Sequence, residues 1–319
     1  MSVDRSGPVP QVTVVMVTHR GADFLQDALD GLAAQTVPHR LLVIDNASTD
    51  GTAAVLAEAV ESGALQAESV LRLPTNTGFA GGVAAAIPLV ATSYLALLND
   101  DAVPDTDWLA QLLAAADGDR GAAAWTSLME LADRPGTVNN TGAALDAKWY
   151  GIDVNAGKPV TEIPSRVLDV FGFCGGAALL RTAALRAVGG FPAEFFLYYE
   201  DLETSWRLRR AGWSIRTVPT ARVVHRHAAT TDRRSELFHF YNERNRLLTL
   251  IRCAPLWVAP AQIVKFILTT GSLTAARLLR RPVPDHPNFR LGLRLRVLGG
   301  VAAMLPGQYR QRRRPVRRR

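Results

Sequence analysis

Four short apolar runs, separated by helix-length amphipathic stretches and ending in polar or acidic residues, constrain this chain more than any other feature. Residues 11–18 (QVTVVMVT) are rich in β-branched residues and alternate little, as in a strand buried on both faces of a parallel sheet. FLQDALDGLAAQ then spaces Phe24, Leu25, Ala28, Leu29 and Leu32 along one helical face, and RLLVID returns as a second strand ending in Asp45. NASTDGTAAVLAEAV repeats the transition, with Ser48, Thr49 or Asp50 placed to cap a helix. SVLRLP supplies a third strand, NTGFAGGVAAAIPLV a glycine-rich turn into a helix, and SYLALLNDD a fourth strand closed by carboxylates. The alternation predicts an α/β fold with a mostly parallel, Rossmann-like sheet flanked by helices. Ligands of such sheets gather beyond the carboxyl ends of the strands, where Thr18–Arg20, Asp45–Asp50 and Asn99–Asp101 fall.

Further along, residues 107–116 read as a helix and 121–170 as an irregular strand-and-loop region broken by Pro, Gly and Asn. FGFCGGAALLRTAALRAVGGF gives a glycine-bearing turn, a strand, and a helix stopped at Gly189-Gly190. EDLETSWRLRRAGW is a helix with acids in its first turn, and SIRTVPTARVVHRH reads as two short strands. At 319 residues and 48% hydrophobic, the chain can fill a real core, and no fixed-period repeat suggests a solenoid. Cys174 and Cys253 stand far apart without a Cys/His cluster, which excludes a disulfide framework and a thiolate zinc site. The opening MSVDRSGPVP has no apolar core of a secretory signal, so a cytoplasmic setting is expected.

Beyond residue 237 the chain changes character, and we divide it into 1–237 and a C-terminal helical segment, 238–319. The apolar run Ala254–Thr270 contains Pro255, Pro260, Gln262 and Lys265, which suits an interfacial helix pair, or a pair packed on the core, better than a membrane span. From Arg280 onward twelve arginines face one acid, Asp285, a net of +11, while the rest of the chain sums to −4. Such a tail fits an anionic membrane surface or nucleic acid; the apolar helices favour the membrane, with no nucleic acid expected.

Asn99-Asp100-Asp101 puts hard oxygen ligands at a strand end, as Mg2+ or Mn2+ bridging nucleotide phosphates would require, although the triplet is also ordinary turn chemistry. Asp45-Asn46 and Thr18-His19-Arg20 are placed to meet a base or ribose. Asn76 to Gly82 lacks the Lys of a P-loop and the G-x-G-x-x-G spacing, so its glycines, Gly78 among them, serve close backbone approach or a tight turn. Glu200-Asp201 follows an aromatic run and opens a helix, which fits either a cap or a base shielded from water, with Glu203 the competing carboxylate. His225 and His227 follow an apolar strand and are candidate imidazole ligands. Cys174 reads as a small residue lining a pocket.

In the order VTVVMVTHR, VIDNASTDGT, NTGFAGG, LLNDDA, FCGGAALLR, VGGF, YYEDLETSWRLRRAGW and VVHRH, the chain resembles the inverting GT-A-fold glycosyltransferases of family 2, especially the bacterial rhamnosyltransferase-like branch, over roughly residues 10–250. The resemblance implies transfer of a sugar, L-rhamnose first, from a dTDP- or UDP-linked donor to a hydroxyl of a lipid-linked or cell-envelope glycan acceptor, with inversion. It makes Asp45 the base- or ribose-contacting acid, Asn99-Asp100-Asp101 the D-x-D metal motif with Asp101 the direct ligand, and His225 the histidine completing the coordination. Asp201 becomes the general base, beside Glu200, and Phe171, Cys174, Gly175 and Gly176 the loop beside the donor sugar and acceptor. FYNERNRLL resembles the segment that follows the core in members using lipid-linked acceptors, which places the enzyme at the inner face of the cytoplasmic membrane. Two alternatives stand beside this reading: a sugar nucleotidyltransferase, for which HRGADF is a poor phosphate loop, and a membrane- or nucleic-acid-binding protein led by the arginine tail.

Overall fold

The computed structural model describes residues 10–226 and 235–313. The first half follows the apolar runs: β1 (Val12–Thr18), α1 (Leu25–Ala33), β2 (Arg40–Asp45), α2 (Thr52–Glu61), β3 (Val70–Arg72), α3 (Gly78–Ala86) and β4 (Tyr94–Leu98). These strands pair in parallel in the order β3-β2-β1-β4, with Thr18 opposite Asp45 and Asp45 opposite Arg72. Every residue of β1 and β4 is buried, because helices cover both faces and leave no solvent side for alternation to mark. None of the three candidate caps takes the N-cap position of α2, which is Gly51; Asp50, just before it, accepts the Thr52 backbone N–H at 3.1 Å.

The chain continues through β5 (Ala102–Pro104), α4 (Trp108–Gly118), β6 (Ala122–Leu131), β7 (Val138–Asn140), β8 (Ala143–Leu145), β9 (Gly151–Asp153), β10 (Leu168–Asp169), β11 (Ala177–Arg181), α5 (Thr182–Ala187), α6 (Glu200–Arg210) and β12 (Ser214–His225). β11 inserts antiparallel between β4 and β6, and β12 runs parallel to β6, so the ten-stranded sheet is parallel in its first half and mixed in its second. Within the stretch expected to be irregular, β6 is a ten-residue central strand. Its AAAWTSLMEL sequence carries helix-forming Ala, Leu and Met, and burial between two strands overrides that propensity. The two short strands expected near residues 214–225 are one, β12, whose register against β6 slips between Val218 and Arg222.

Three helices complete the described chain: α7 (Glu236–Cys253), α8 (Val258–Leu278) and α9 (Leu291–Arg313). Leu247, Leu248, Leu250 and Ile251 of α7 share one core with Val297 and Val301 of α9 and with Ala80 and Phe195 far upstream. The segment beyond residue 237 is therefore continuous with the body of the fold. Exposed large apolar side chains concentrate on α8 and the turn before it, including Leu256, Trp257, Val264, Leu268 and Leu278, while α7 and α9 expose fewer, among them Leu237 and Leu295. No helix among the described residues is long and apolar enough to cross a membrane. Part of the C-terminal positive charge is engaged internally: Arg290 and Arg296 pair with Glu236, and Arg294 is buried over the Phe266 ring, 3.8 Å from its centroid.

Candidate active site

A cavity of about 780 Å³ opens at the carboxyl ends of β1, β2 and β4. On one side it is lined by His19, Asn46, Asn76, Gly78, Asn99, Asp100 and Asp101, on another by Cys174, Gly175, Gly176, Glu200 and Asp201, with His225 alongside. Consecutive βα units build the first wall, and hydrogen bonds lock its turns together. Asn46 donates to Asn76 Oδ1 at 3.1 Å and to the Gly78 carbonyl at 3.0 Å, while its own Oδ1 accepts the Thr77 N–H at 2.9 Å. Gly78 has φ +70°, and a Cβ there would lie 2.1 Å from the Phe196 carbonyl oxygen. The close approach expected of these glycines is thus to another loop of the same protein.

At the end of β4, burial pushes the Asp100 carboxyl up to about 6; the Thr18 hydroxyl opposes the rise and the Asp101 charge adds to it. Asp101 Oδ1 lies 3.0 Å from His225 Nε2. His225 Nδ1 donates to Asn139 Oδ1 at 2.8 Å, and the Asn99 amide approaches Nε2 at 3.4 Å. With Nδ1 committed to Asn139, it is Nε2 that faces the buried Asp101 oxygen. An imidazole nitrogen and a carboxylate oxygen facing each other fit a divalent cation between them. No cluster of three or more His, Cys, Asp or Glu side chains suited to a metal occurs among the described residues. Asp101 and His225 therefore suit an ion that takes its other ligands from phosphates and water, as Mg2+ does.

Across the cavity, Asp201 Oδ2 accepts the Gly175 N–H at 3.0 Å and Oδ1 the Leu202 N–H at 2.6 Å. Burial pushes its carboxyl up to about 6 against the pull of those amides, and the Asp153 charge adds to the rise. Burial, then the Asp201 charge, raise Glu200 well above the usual carboxylate range, and Glu200 Oε2 is buried without a hydrogen-bond partner among the described residues. One turn along the same helix, Glu203 behaves in the opposite way. Burial alone would raise it, but Arg207 at 2.6 Å and Arg252 at 3.0 Å outweigh burial and hold it below its ordinary value. Fully buried and doubly paired, Glu203 lies outside the cavity lining, so the competing carboxylate is a structural ion pair.

The acid pair is preceded by an unusual backbone. Phe196, Tyr198 and Tyr199 all have φ of 68°, a region costing bulky residues about 1–3 kcal/mol each. Tyr199 Oη accepts the Gly151 N–H at 2.8 Å. Phe196 stacks on Tyr241 at 4.9 Å, and Phe238 and Asn242 of α7 join the cavity wall.

Several expected site residues are placed otherwise. Asp45 is buried and committed to the Ser48 N–H at 2.9 Å and to Arg72 at 3.3 Å, outside the lining. Thr18 lies beneath Asp100, and Arg20, at φ 59°, is exposed beside the cavity. Phe171, expected in the sugar pocket, packs instead against Trp206 at 5.5 Å with Arg209 over its ring, since an apolar face was available there. His227 lies outside the described residues. Conversely, Asn139, Asn140, Asp153, Phe238 and Asn242 line the cavity without having been singled out. Asn140 donates to Cys174 Sγ at 3.3 Å, which keeps that buried thiol a wall residue.

Residues 13–189 match the family described as Glycosyl transferase family 2. Over 248 residues, 69% of this chain and 77% of the relative, the sequence is 26% identical to the N-acetylglucosaminyl-diphospho-decaprenol L-rhamnosyltransferase of Mycobacterium tuberculosis. The fold is similar to GalNAc-T7, solved with UDP, GalNAc and Mn2+, with a TM-score of 0.60 at 14% identity; the match covers 94% of this chain and spans 58% of that one. It is also similar to the mannosyltransferase PcManGT from Pyrobaculum calidifontis in complex with GDP-Man and Mn2+, with a TM-score of 0.55, 18% identity and coverage of 92% and 86%. With more than half its length inside the family match and its carboxylates gathered at the strand ends of a GT-A sheet, the chain belongs to glycosyl transferase family 2 and is a glycosyltransferase.

Proposed function

We propose that this glycosyltransferase transfers a sugar with inversion from a nucleoside-diphosphate donor, dTDP- or UDP-linked and first of all L-rhamnosyl, to a hydroxyl of a lipid-linked or cell-envelope glycan acceptor. The observation that carries the proposal is that one cavity holds two acid groups with different chemistry. Asp101 and His225, braced by Asn139 and Asn99, would hold Mg2+ or Mn2+. Such an ion, when bound, neutralises the charge that develops on a departing diphosphate. Asp201, with a carboxyl near 6, is mostly ionised at neutral pH and able to take the acceptor proton as the hydroxyl oxygen attacks the anomeric carbon. Glu200, whose carboxyl is raised by burial and by the Asp201 charge, stands beside the base with its Oε2 free to meet a sugar hydroxyl. The aromatic loop and Phe238 narrow access for water. A single displacement with one base needs no protein nucleophile, and the buried, amide-bonded Cys174 supplies none.

The exposed apolar row of α8, with Lys265 and Arg277 on the helix and Arg280 and Arg281 just beyond its end, supports peripheral attachment to an anionic membrane, at the cytoplasmic inner face where a lipid-linked acceptor would be met. The relative from Mycobacterium tuberculosis, by its name, acts on a decaprenol-linked acceptor, in keeping with that reading. The deciding experiment is a thermal-shift and hydrolysis panel of UDP-, dTDP- and GDP-sugars with and without Mn2+. Stabilisation by sugars of one base, dependent on metal and followed by release of free sugar, is expected. No nucleotide response would overturn the reading, and an undiminished response in EDTA would remove the metal.

A further inference from the structure

The loop that delivers Glu200 and Asp201 to the cavity is held by more than its own neighbours. Its backbone turns sharply at Phe196, where φ is 68° and ψ −68°, with the Leu197 N–H donating back to the Phe195 carbonyl at 2.9 Å. Asn245, on α7 and fully buried, reaches into this turn. Its Nδ2 donates to the carbonyls of Phe195 at 2.9 Å, Leu197 at 2.7 Å and Tyr198 at 2.9 Å. Its Oδ1 accepts Arg244 Nε at 2.9 Å, which fixes the amide, because a flip would set oxygen against three carbonyls and NH2 against a guanidinium. Arg244 itself donates to the Phe195 carbonyl at 2.9 Å. From the far side the Ala80 N–H holds the Phe196 carbonyl at 3.1 Å. The turn is thus clamped between the first helical turn of α3 and one amide of α7, and α6 starts directly after it with Glu200 and Asp201.

We propose that Asn245 is a positioning residue for catalysis: its amide holds the 195–199 turn in its left-handed conformation and so sets where the Glu200–Asp201 carboxyls stand in the cavity. This deepens the assignment of Asp201 as base and rests on it for the activity readout only. The three carbonyls that Asn245 gathers would repel one another without a shared donor, and left-handed aromatic residues would relax to ordinary backbone angles. Relaxation would move Asp201 off the Gly175 amide and admit water to its carboxyl.

The test compares Asn245→Leu, similar in size but without donors, and Asn245→Ser, which keeps one donor, with Leu250→Ala, a core truncation on the same helix. Hydrogen exchange of the peptide spanning residues 195–203, donor hydrolysis against pH, and binding of UDP and dTDP with Mn2+ are measured for each. For Asn245→Leu, faster exchange in that peptide and kcat lower by about 10²-fold are expected, the loss typical of a misplacement near 1 Å, with nucleotide affinity retained. The acidic limb of its pH profile should move to lower pH as the carboxyl is hydrated, with Asn245→Ser intermediate. Leu250→Ala should lower thermal stability without moving the limb. Exchange and pH profile in both Asn245 variants matching those of Leu250→Ala would overturn the proposal, and Asn245→Ser alone decides it if Asn245→Leu does not fold. Faster exchange in 195–203 together with full transfer by Asp201→Asn would support the clamp while removing Asp201 as base.

Discussion

The two walls of the cavity are made in different ways. Asp100 and Asp101 stand at the end of a regular strand in a run of consecutive βα units, on backbone held by ladder pairing to β1 and β11. Glu200 and Asp201 stand after three left-handed aromatic residues, on a turn held by residues more than forty positions later in sequence. The first wall rests on strand pairing and the second on a strained turn. Regular secondary structure therefore suffices to bring Asp100 and Asp101 to the cavity, while bringing Glu200 and Asp201 there takes strained backbone with side-chain support from another helix.

The largest expected effect separates two acids on α6. Asp201→Asn should fold and bind nucleotide like the parent while transfer falls by about 10²–10⁴-fold, the contribution of a positioned base. Glu203→Gln should instead lose about 3–5 kcal/mol of stability, because it leaves Arg207 a buried cation without its carboxylate and Arg252 with Glu194 alone, while folded protein keeps its activity. Calorimetry with transfer assays on both variants would reverse the assignment if the two phenotypes were exchanged.

On the first wall, Asn139→Ala should weaken the metal-dependent part of nucleotide binding by about 10–100-fold, because it frees the imidazole that Asn139 orients. Titration of UDP or dTDP with and without Mn2+ measures it, and an unchanged metal response would show that His225 is not a ligand.

The pH dependence has two signs. Transfer should rise through pH 6 as Asp201 ionises, by about tenfold per unit well below that pH. Stability of the metal-free protein runs the other way. Asp100 and Asp201 sit near 6 in the fold and 3.8 is their ordinary value, so the fold holds protons the unfolded chain releases. Their contribution is complete below about 4 and is lost as pH rises through 6. Asp100→Asn should flatten that decline in thermal melts; an unaltered slope would mean the carboxyl is not raised.

The smallest effect concerns the membrane. Arg280→Ala and Arg281→Ala should each weaken sedimentation with anionic vesicles by about fivefold, near 1 kcal/mol per charge. Arg290→Ala and Arg296→Ala should matter less, since both already pair with Glu236. Equal losses from all four would contradict the selective use of charge.

What could be read from sequence follows the same division. β1 to β4 and the carboxylates at their ends were legible because burial on two faces leaves continuous apolar runs with polar stops. β6 was not, because its alanines speak for a helix and only its two neighbouring strands decide otherwise. Asn139 sits in a stretch without periodicity, and its role appears only when β7 meets β12 through His225. That Asp45 pairs with Arg72 was not legible either, because only the parallel register sets Arg72 opposite it. Asn245 carried no usable signal, because it sits in the polar run Asn242–Arg246 and only the packing of α7 shows that it is buried and must find partners.

Because α7 supplies both core side chains and the Asn245 clamp, the order in which the chain leaves the ribosome matters. The parallel half of the sheet emerges first and has its own contacts to fold by, whereas the turn before Glu200 has no clamp until Asn245 follows it. Until α7 docks, the turn would lack the donor its three carbonyls share, so the Glu200–Asp201 pair would be the last part of the cavity to be set in place.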